Sequence, residues 1–145
     1  MPTRKPIVVT ESKPGPEWDM DYTLQENPEW KTELQRRHER DLMIKERLLR
    51  GRNVFYRSSG WSLYPYISSN DGCTYAPVTS EEEVLVNDIV FCEVQPGNRF
   101  YAHMVLEVQE GSSGKMRYII GNAGGRQNGW CYIEHIYGRL VNVER

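Results

Sequence analysis

Two residues of this chain have types and settings suited to nucleophilic chemistry. Ser62 lies in Gly60-Trp-Ser-Leu-Tyr-Pro65, directly after a short apolar strand, and His103 lies in Tyr101-Ala-His-Met-Val105. A serine hydroxyl becomes a nucleophile only when a neighbouring base takes its proton. Gly60 permits a tight or left-handed turn ahead of the serine. Pro65 is compatible with the first turn of a short helix behind it. Such a turn would leave backbone N–H groups close to Ser62, where developing negative charge could be met. Taken alone, the same glycine, serine and proline also describe an ordinary surface turn.

The candidate bases are His38, His103, His135, Lys45 and Lys115. His38 sits among Arg36, Arg37 and Arg40 and reads as part of a solvated helix face, while His135 opens the last expected strand without polar company. In the strand Phe100 to Val108, alternation puts Phe100, Ala102, Met104, Leu106 and Val108 on a core face. His103 then falls on the other face with Tyr101, Val105 and Glu107, a semi-polar face fit for a cleft wall or for plain surface.

The elements that would position these residues divide the chain in three. Residues 1–27 hold Pro2, Pro6, Pro14 and Pro16 and an acidic cluster from Glu17 to Glu26, the composition of an extended arm. Only Ile7-Val8-Val9 within it looks strand-like, and the arm is expected to bind a partner or a neighbouring subunit. Residues 28–50 read as one α-helix, with Asn27 as N-cap, Pro28 at its first position and Gly51 at its end. Glu33 with Arg37, and Asp41 with Lys45, have the i,i+4 spacing of ion pairs. Apolar residues are sparse before Leu42 and dense from there on, so only the second half of the helix can dock on a core. Residues 51–145 switch to short strands, expected at about 54–57, 73–78, 88–95, 99–109, 115–120 and 135–143. Gln95-Pro-Gly-Asn98 and Glu110-Gly-Ser-Ser-Gly114 supply hairpin turns. The fold class is therefore mainly β, a compact mixed, mostly antiparallel domain behind an extended arm and one helix.

Composition narrows the function classes. The net charge is −2 over 145 residues, which argues against a nucleic-acid binder resting on basic phosphate contacts. A single helix does not make a helix-turn-helix. No apolar run approaches the ~20 residues that cross a bilayer, and no signal peptide opens the chain. The expectation is a soluble cytoplasmic protein, or a virion-associated one if of phage origin. Cys73, Cys92 and Cys131 have no Cys-x-x-Cys spacing, so no zinc site, other metal or cofactor is expected.

Six segments, in order, resemble the LexA-like and signal-peptidase-like serine peptidase superfamily. Gly60-Trp-Ser-Leu-Tyr-Pro-Tyr-Ile67 is similar to its Gly-x-Ser-Met-x-Pro-x-Ile box, and Asn70-Asp71-Gly72 to the turn behind it. Val84 to Phe91 resembles the Val-x-x-Gly-Asp-Ile-Val segment, and Tyr101-Ala-His-Met-Val105 the box that carries the base. Ile119-Ile-Gly-Asn122 and Ile136-Tyr-Gly-Arg-Leu-Val141 resemble the later Gly-Asp-Asn and Gly-Arg-Val segments. The resemblance implies a β domain of that type with Ser62 as nucleophile and His103 as base. Histidine stands there in endoplasmic-reticulum-type signal peptidases, lysine in the bacterial enzymes and the repressors. It also implies an oxyanion hole from the Ser62 N–H with Gly60 or Ser59. The chain departs from the pattern at Leu63 (for methionine), at Asn87 (for glycine) and at Gly121-Asn122-Ala123, where the carboxylate is missing. Asn122 could orient the imidazole, with Glu107 or Glu134 as substitute acids.

The family's familiar roles fit poorly. Neither a membrane anchor nor a DNA-binding domain is expected from these residues, and their only Ala-Gly dipeptide, Ala123-Gly124, lies inside the expected β domain rather than in the arm. Two expectations remain. One is a non-catalytic or weakly active protein-binding or assembly component, for instance of a microbe or phage. The other is a soluble serine endopeptidase with a Ser62–His103 dyad that cleaves an extended segment of a partner protein. In either case a protein or peptide would occupy the β-domain cleft, with Trp61, Leu63, Tyr64 and Pro65 as candidate groove residues beside Tyr66 and Trp130.

Overall fold

The computed structural model describes residues 7–10 and 32–145. Most of the expected arm, and the Asn27-Pro28 helix start, lie outside the described residues. Within them the chain runs β1 (Val8–Thr10), α1 (Glu33–Leu49), β2 (Val54–Arg57), β3 (Gly72–Pro77), β4 (Ile89–Val94), β5 (Arg99–Glu110), β6 (Met116–Gly121), β7 (Gln127–Cys131) and β8 (Ile136–Glu144). Short 3-10 turns precede β4 and β8. The fold is mainly β, as the strand pattern predicts.

One curled sheet has the order β2-β3-β8-β4-β5-β6-β7, antiparallel throughout, with β1 added in parallel to the end of β8. The strand-like part of the arm is thus paired within its own chain, Val8 opposite Asn142 and Val9 opposite Val143. Both expected hairpins form, β4–β5 and β5–β6. The sheet curls until Trp130 of β7 exchanges two backbone hydrogen bonds, of 2.8 and 3.0 Å, with Gln95 at the end of β4. Curling makes two cores. One, holding Val90, Val94, Val105, Ile120 and Ile136, fills the curl. The other, holding Tyr75, Phe91, Met104 and Leu140, lies under α1.

This double core corrects the reading of β5 as one core face and one wet face. Val105 is fully buried in the curl, and a register shift between Val105 and Glu107 brings Val108 against that same core. A bulge inserts one residue and reverses the alternation beyond it.

Within the described residues α1 starts at Glu33. Thr32 is non-helical (φ −72°, ψ 160°) and caps the helix, with its hydroxyl accepting the Gln35 N–H while the Gln35 side chain accepts the Thr32 N–H. Glu33 and Arg37 pair at 3.0 Å as expected. Asp41 and Lys45 do not: Asp41 pairs with Arg40 at 3.5 Å, and Lys45 reaches Glu93 on β4 at 3.3 Å. Docking places Lys45 over the sheet, where the half-buried carboxylate, which also accepts the Tyr137 hydroxyl, is the nearer partner. Ile44 and Leu48 carry the docking and are buried, whereas Leu34 stays exposed. The first half of α1 therefore overhangs the sheet rather than packing on it.

Candidate functional site

The loop joining β2 to β3 carries Ser62 and is tied at its base. The Ser58 N–H donates to the Asp71 carbonyl (2.9 Å), the Asn70 N–H to the Ser58 carbonyl (2.8 Å), and the Ser58 hydroxyl to the Ser68 carbonyl (2.8 Å). Gly60 has φ +83°, a conformation that side chains disfavour, and it turns the chain into the serine. The expected short helix is not formed. Residues 61–67 instead make successive turns, Tyr64 N–H to Trp61 carbonyl (3.1 Å) and Tyr66 N–H to Leu63 carbonyl (2.8 Å). Pro65 has no N–H to donate and interrupts any helical ladder. Leu63 and Ile67 anchor the loop in the core, and Ser62 remains exposed.

His103 is brought to this serine. It projects from β5 opposite Val90 and places Nε2 3.0 Å from Ser62 Oγ. Its other nitrogen, Nδ1, lies 2.6 Å from Asn128 Oδ1. One tautomer satisfies both contacts: Nδ1–H donates to the amide oxygen, and Nε2 accepts the serine hydroxyl proton. Burial pushes the imidazole pKa below its ordinary value, and the Asn128 hydrogen bond opposes that shift in part. A base neutral at physiological pH is the form that can take a proton.

Asn128, rather than Asn122, meets the far nitrogen of His103. Asn122 Oδ1 accepts the Arg126 N–H (2.9 Å) within the β6–β7 turn, so its amide serves the turn. That turn meets the serine loop by another route, Ala123 N–H to Ser62 carbonyl at 2.9 Å. Glu134 is exposed and pairs with Lys115 at 2.8 Å, and Glu107 is exposed on β5. Asn128 escapes notice in the sequence because Gly124-Gly-Arg-Gln-Asn-Gly129 reads as a loop. It belongs to β7, a strand absent from the sequence-based assignment, and sits at a register shift: Ile120 pairs with Gly129 and Gly121 with Gln127, leaving Asn128 as the extra residue. Bulges of this kind re-aim a side chain. Its backbone is fixed as well, since Arg99 donates to the Asn128 carbonyl (3.0 Å). Gly129 approaches Gln95 so closely that a Cβ there would lie 2.1 Å from the Gln95 carbonyl oxygen.

A cleft of about 760 Å³ opens on Ser62 and His103. Ser58, Ser59, Gly60 and Leu63 line it from the serine loop, Leu34, Arg37, His38, Arg40 and Asp41 from α1, and Gly97 to Ala102 from the β4–β5 hairpin. Tyr56, Tyr75 and Phe91 form its apolar part. Of the expected groove residues only Leu63 lines this cleft. Trp61 and Tyr64 are exposed and in edge contact (5.7 Å), Pro65 and Tyr66 are exposed, and Trp130 packs against Tyr132 and under Arg117. His38 is exposed on the cleft rim, 6.0 Å from the Phe100 ring. Among the described residues, no backbone hydrogen bond uses the N–H of Ser59, Gly60 or Ser62. No group of residues there could hold a metal, and no helix is long and apolar enough to cross a membrane.

Compared with protein-family models, with curated proteins and with solved structures, the chain matches none.

Proposed function

We propose that this chain is a serine hydrolase that cuts an extended polypeptide segment with a Ser62–His103–Asn128 relay. The observation that carries the reading is the unbroken chain of contacts from Ser62 Oγ to His103 Nε2 (3.0 Å) and from Nδ1 to Asn128 (2.6 Å) at the edge of one cleft. In the acylation step Nε2 takes the hydroxyl proton as Oγ bonds to the scissile carbonyl carbon. The carbonyl oxygen becomes an oxyanion, for which the N–H groups of Ser62 and of Gly60 or Ser59, unused by backbone hydrogen bonds among the described residues, are the candidate donors. Collapse breaks the C–N bond, and the imidazolium returns its proton to the leaving amine. Water, deprotonated by the same Nε2, then releases the acid and restores Ser62.

Asn128 holds the ring in the productive tautomer but brings no negative charge to the imidazolium. An acid-to-amide change in a triad built around aspartate costs about 10⁴ in rate where it also leaves the ring in the wrong tautomer; with the tautomer kept, the missing charge alone is expected to cost less than that. A polypeptide substrate is favoured by the size of the cleft that opens on Ser62 and His103, about 760 Å³, and by β2. Among the described residues β2 is an edge strand, and it runs straight into the serine loop, where an extended segment could pair. The resemblance of the Ser62 and His103 boxes to the LexA-like and signal-peptidase-like superfamily points the same way.

The amide at position 128 and the exposed Trp61, Tyr64 and Tyr66 favour a second reading, a binding module that has kept the site without turnover. One experiment separates the two. The wild-type chain and Ser62→Ala are incubated with a diverse peptide mixture, and new termini are mapped by mass spectrometry. The hydrolase reading expects recurrent cleavages that vanish in Ser62→Ala. Identical patterns for the two proteins overturn it in favour of the binding module.

A further inference from the structure

Building on the hydrolase reading, we infer that the cleft selects an acidic segment, with Arg37, Arg40 and Arg99 receiving Asp or Glu side chains that flank the scissile bond. Leu34, Arg37, His38 and Asp41 follow one another at helical spacing and so share one face of α1, and that face is the one lining the cleft. Arg40 joins them, and Arg99 stands on the facing hairpin. Three guanidinium groups therefore border the cleft against two carboxylates, Asp41 on its lining and Glu33 beside Arg37. The whole chain carries −2, so this local excess of positive charge runs against the background.

Each guanidinium keeps capacity for a ligand. Among the described residues Arg37 pairs with Glu33, with side chains 58% and 72% exposed, and such pairs contribute little. Arg40 uses Nη2 on Asp41 and lies over the Tyr56 ring at 5.2 Å, while its buried Nε has no hydrogen-bond partner among the described residues. Arg99 commits one nitrogen to the Asn128 carbonyl and rests over Tyr101 at 5.5 Å. A guanidinium offers five donors in a planar fork matched to a carboxylate, and these contacts leave several unused. The partly enclosed, aromatic-floored cleft screens such pairs less than open water does. The arginine that braces Asn128 also borders the substrate, so ligand charge and ring orientation meet at Arg99.

The test is a binding measurement in the full chain carrying Ser62→Ala, so that its outcome does not depend on turnover. Three fluorescein-labelled peptides share one extended sequence of about twelve residues, with the variable positions set to Glu, Gln or Lys. Fluorescence anisotropy at about 0.15 M salt is expected to give roughly tenfold tighter binding of the Glu peptide than of the Gln peptide, with the Lys peptide weakest. Adding the exposed Arg37→Glu change should erase most of that preference while leaving the unfolding midpoint in place; Arg37→Gln should give an intermediate loss. Equal binding of the Glu and Gln peptides, tighter binding of the Lys peptide, or a preference untouched by both Arg37 variants overturns the inference. Charge preference in Ser62→Ala without any cleavage by the wild type would overturn the hydrolase reading alone. Cleavage without charge preference would overturn the acidic-substrate inference alone.

Discussion

The amide oxygen of Asn128 stands 2.6 Å from Nδ1 of His103, on the side of the ring opposite Ser62. An amide in this place fixes the tautomer without adding charge, and the distinction is open to experiment. Asn128→Asp keeps the shape and adds a carboxylate beside the imidazolium. It should raise the rate by about tenfold or more, but by well under the ~10⁴ of an exchange that also upsets the tautomer. Asn128→Ala should instead lower it by about 10²-fold or more while KM changes little. Steady-state kinetics on a peptide identified as cleaved would check both. Equal rates in all three proteins would remove Asn128 from the relay.

The pH dependence follows from the same contacts. Only neutral His103 can accept the serine proton, and burial lowers its pKa. Activity should therefore rise with pH through a midpoint below the ordinary imidazole range and stay level around neutrality. The Asn128 hydrogen bond raises the pKa in part, so Asn128→Ala should move that midpoint further down. Asn128→Asp places a negative charge beside the ring and should move it up. A midpoint that ignores both substitutions would assign the titration to another group.

Two glycines make contrasting predictions. At Gly60 an added Cβ meets nothing within 4 Å, but φ is +83°. Gly60→Ala should cost about 1–2 kcal/mol of backbone strain, confined to the loop that presents Ser62, and depress kcat in a folded protein. At Gly129 the obstacle is steric, the Gln95 carbonyl oxygen at 2.1 Å. Gly129→Ala must push β7 away from β4, opening the curl and displacing Asn128, so stability and activity should fall together. Thermal unfolding alongside kinetics distinguishes the two patterns.

α1 contributes to the site only because its second half is docked. Leu48 is 2% exposed in the core under the helix. Leu48→Ala should cost about 2–5 kcal/mol and loosen the wall that carries Arg37 and Arg40. Denaturant unfolding checks the cost, and a rise in KM larger than the fall in kcat would mark the loss of a substrate wall rather than of the relay.

Much of this architecture is legible in the sequence because its signals are local. Alternating strands such as Phe100 to Val108, the Gln95-Pro-Gly-Asn98 turn and the glycine ahead of Ser62 each declare themselves over a few residues. What escapes depends on partners distant in the chain. β7 is rich in glycine and polar residues and becomes a strand only because β6 and Gln95 claim its backbone. Asn128 acquires its place from a bulge in that pairing. Val105 looks like a wall residue until the curl of the sheet supplies a second core. Thr32 caps α1 through Gln35, a pairing with a sequence signature of its own, yet Asn27-Pro28 carries a competing signal upstream. Lys45 finds Glu93 rather than Asp41 because docking, not helical spacing, decides its nearest carboxylate.

The most direct test of the central claim is covalent labelling of the nucleophile. A fluorophosphonate reacts with a serine whose hydroxyl proton is being withdrawn, losing fluoride as the phosphorus–oxygen bond forms. Treated with such a probe and mapped by peptide mass spectrometry, the protein should carry a single adduct on Ser62. That adduct should disappear in Ser62→Ala, be strongly reduced in His103→Ala, and diminish as pH falls below the His103 midpoint. An untouched Ser62 at neutral pH, or labelling that is the same with and without His103, would contradict the account.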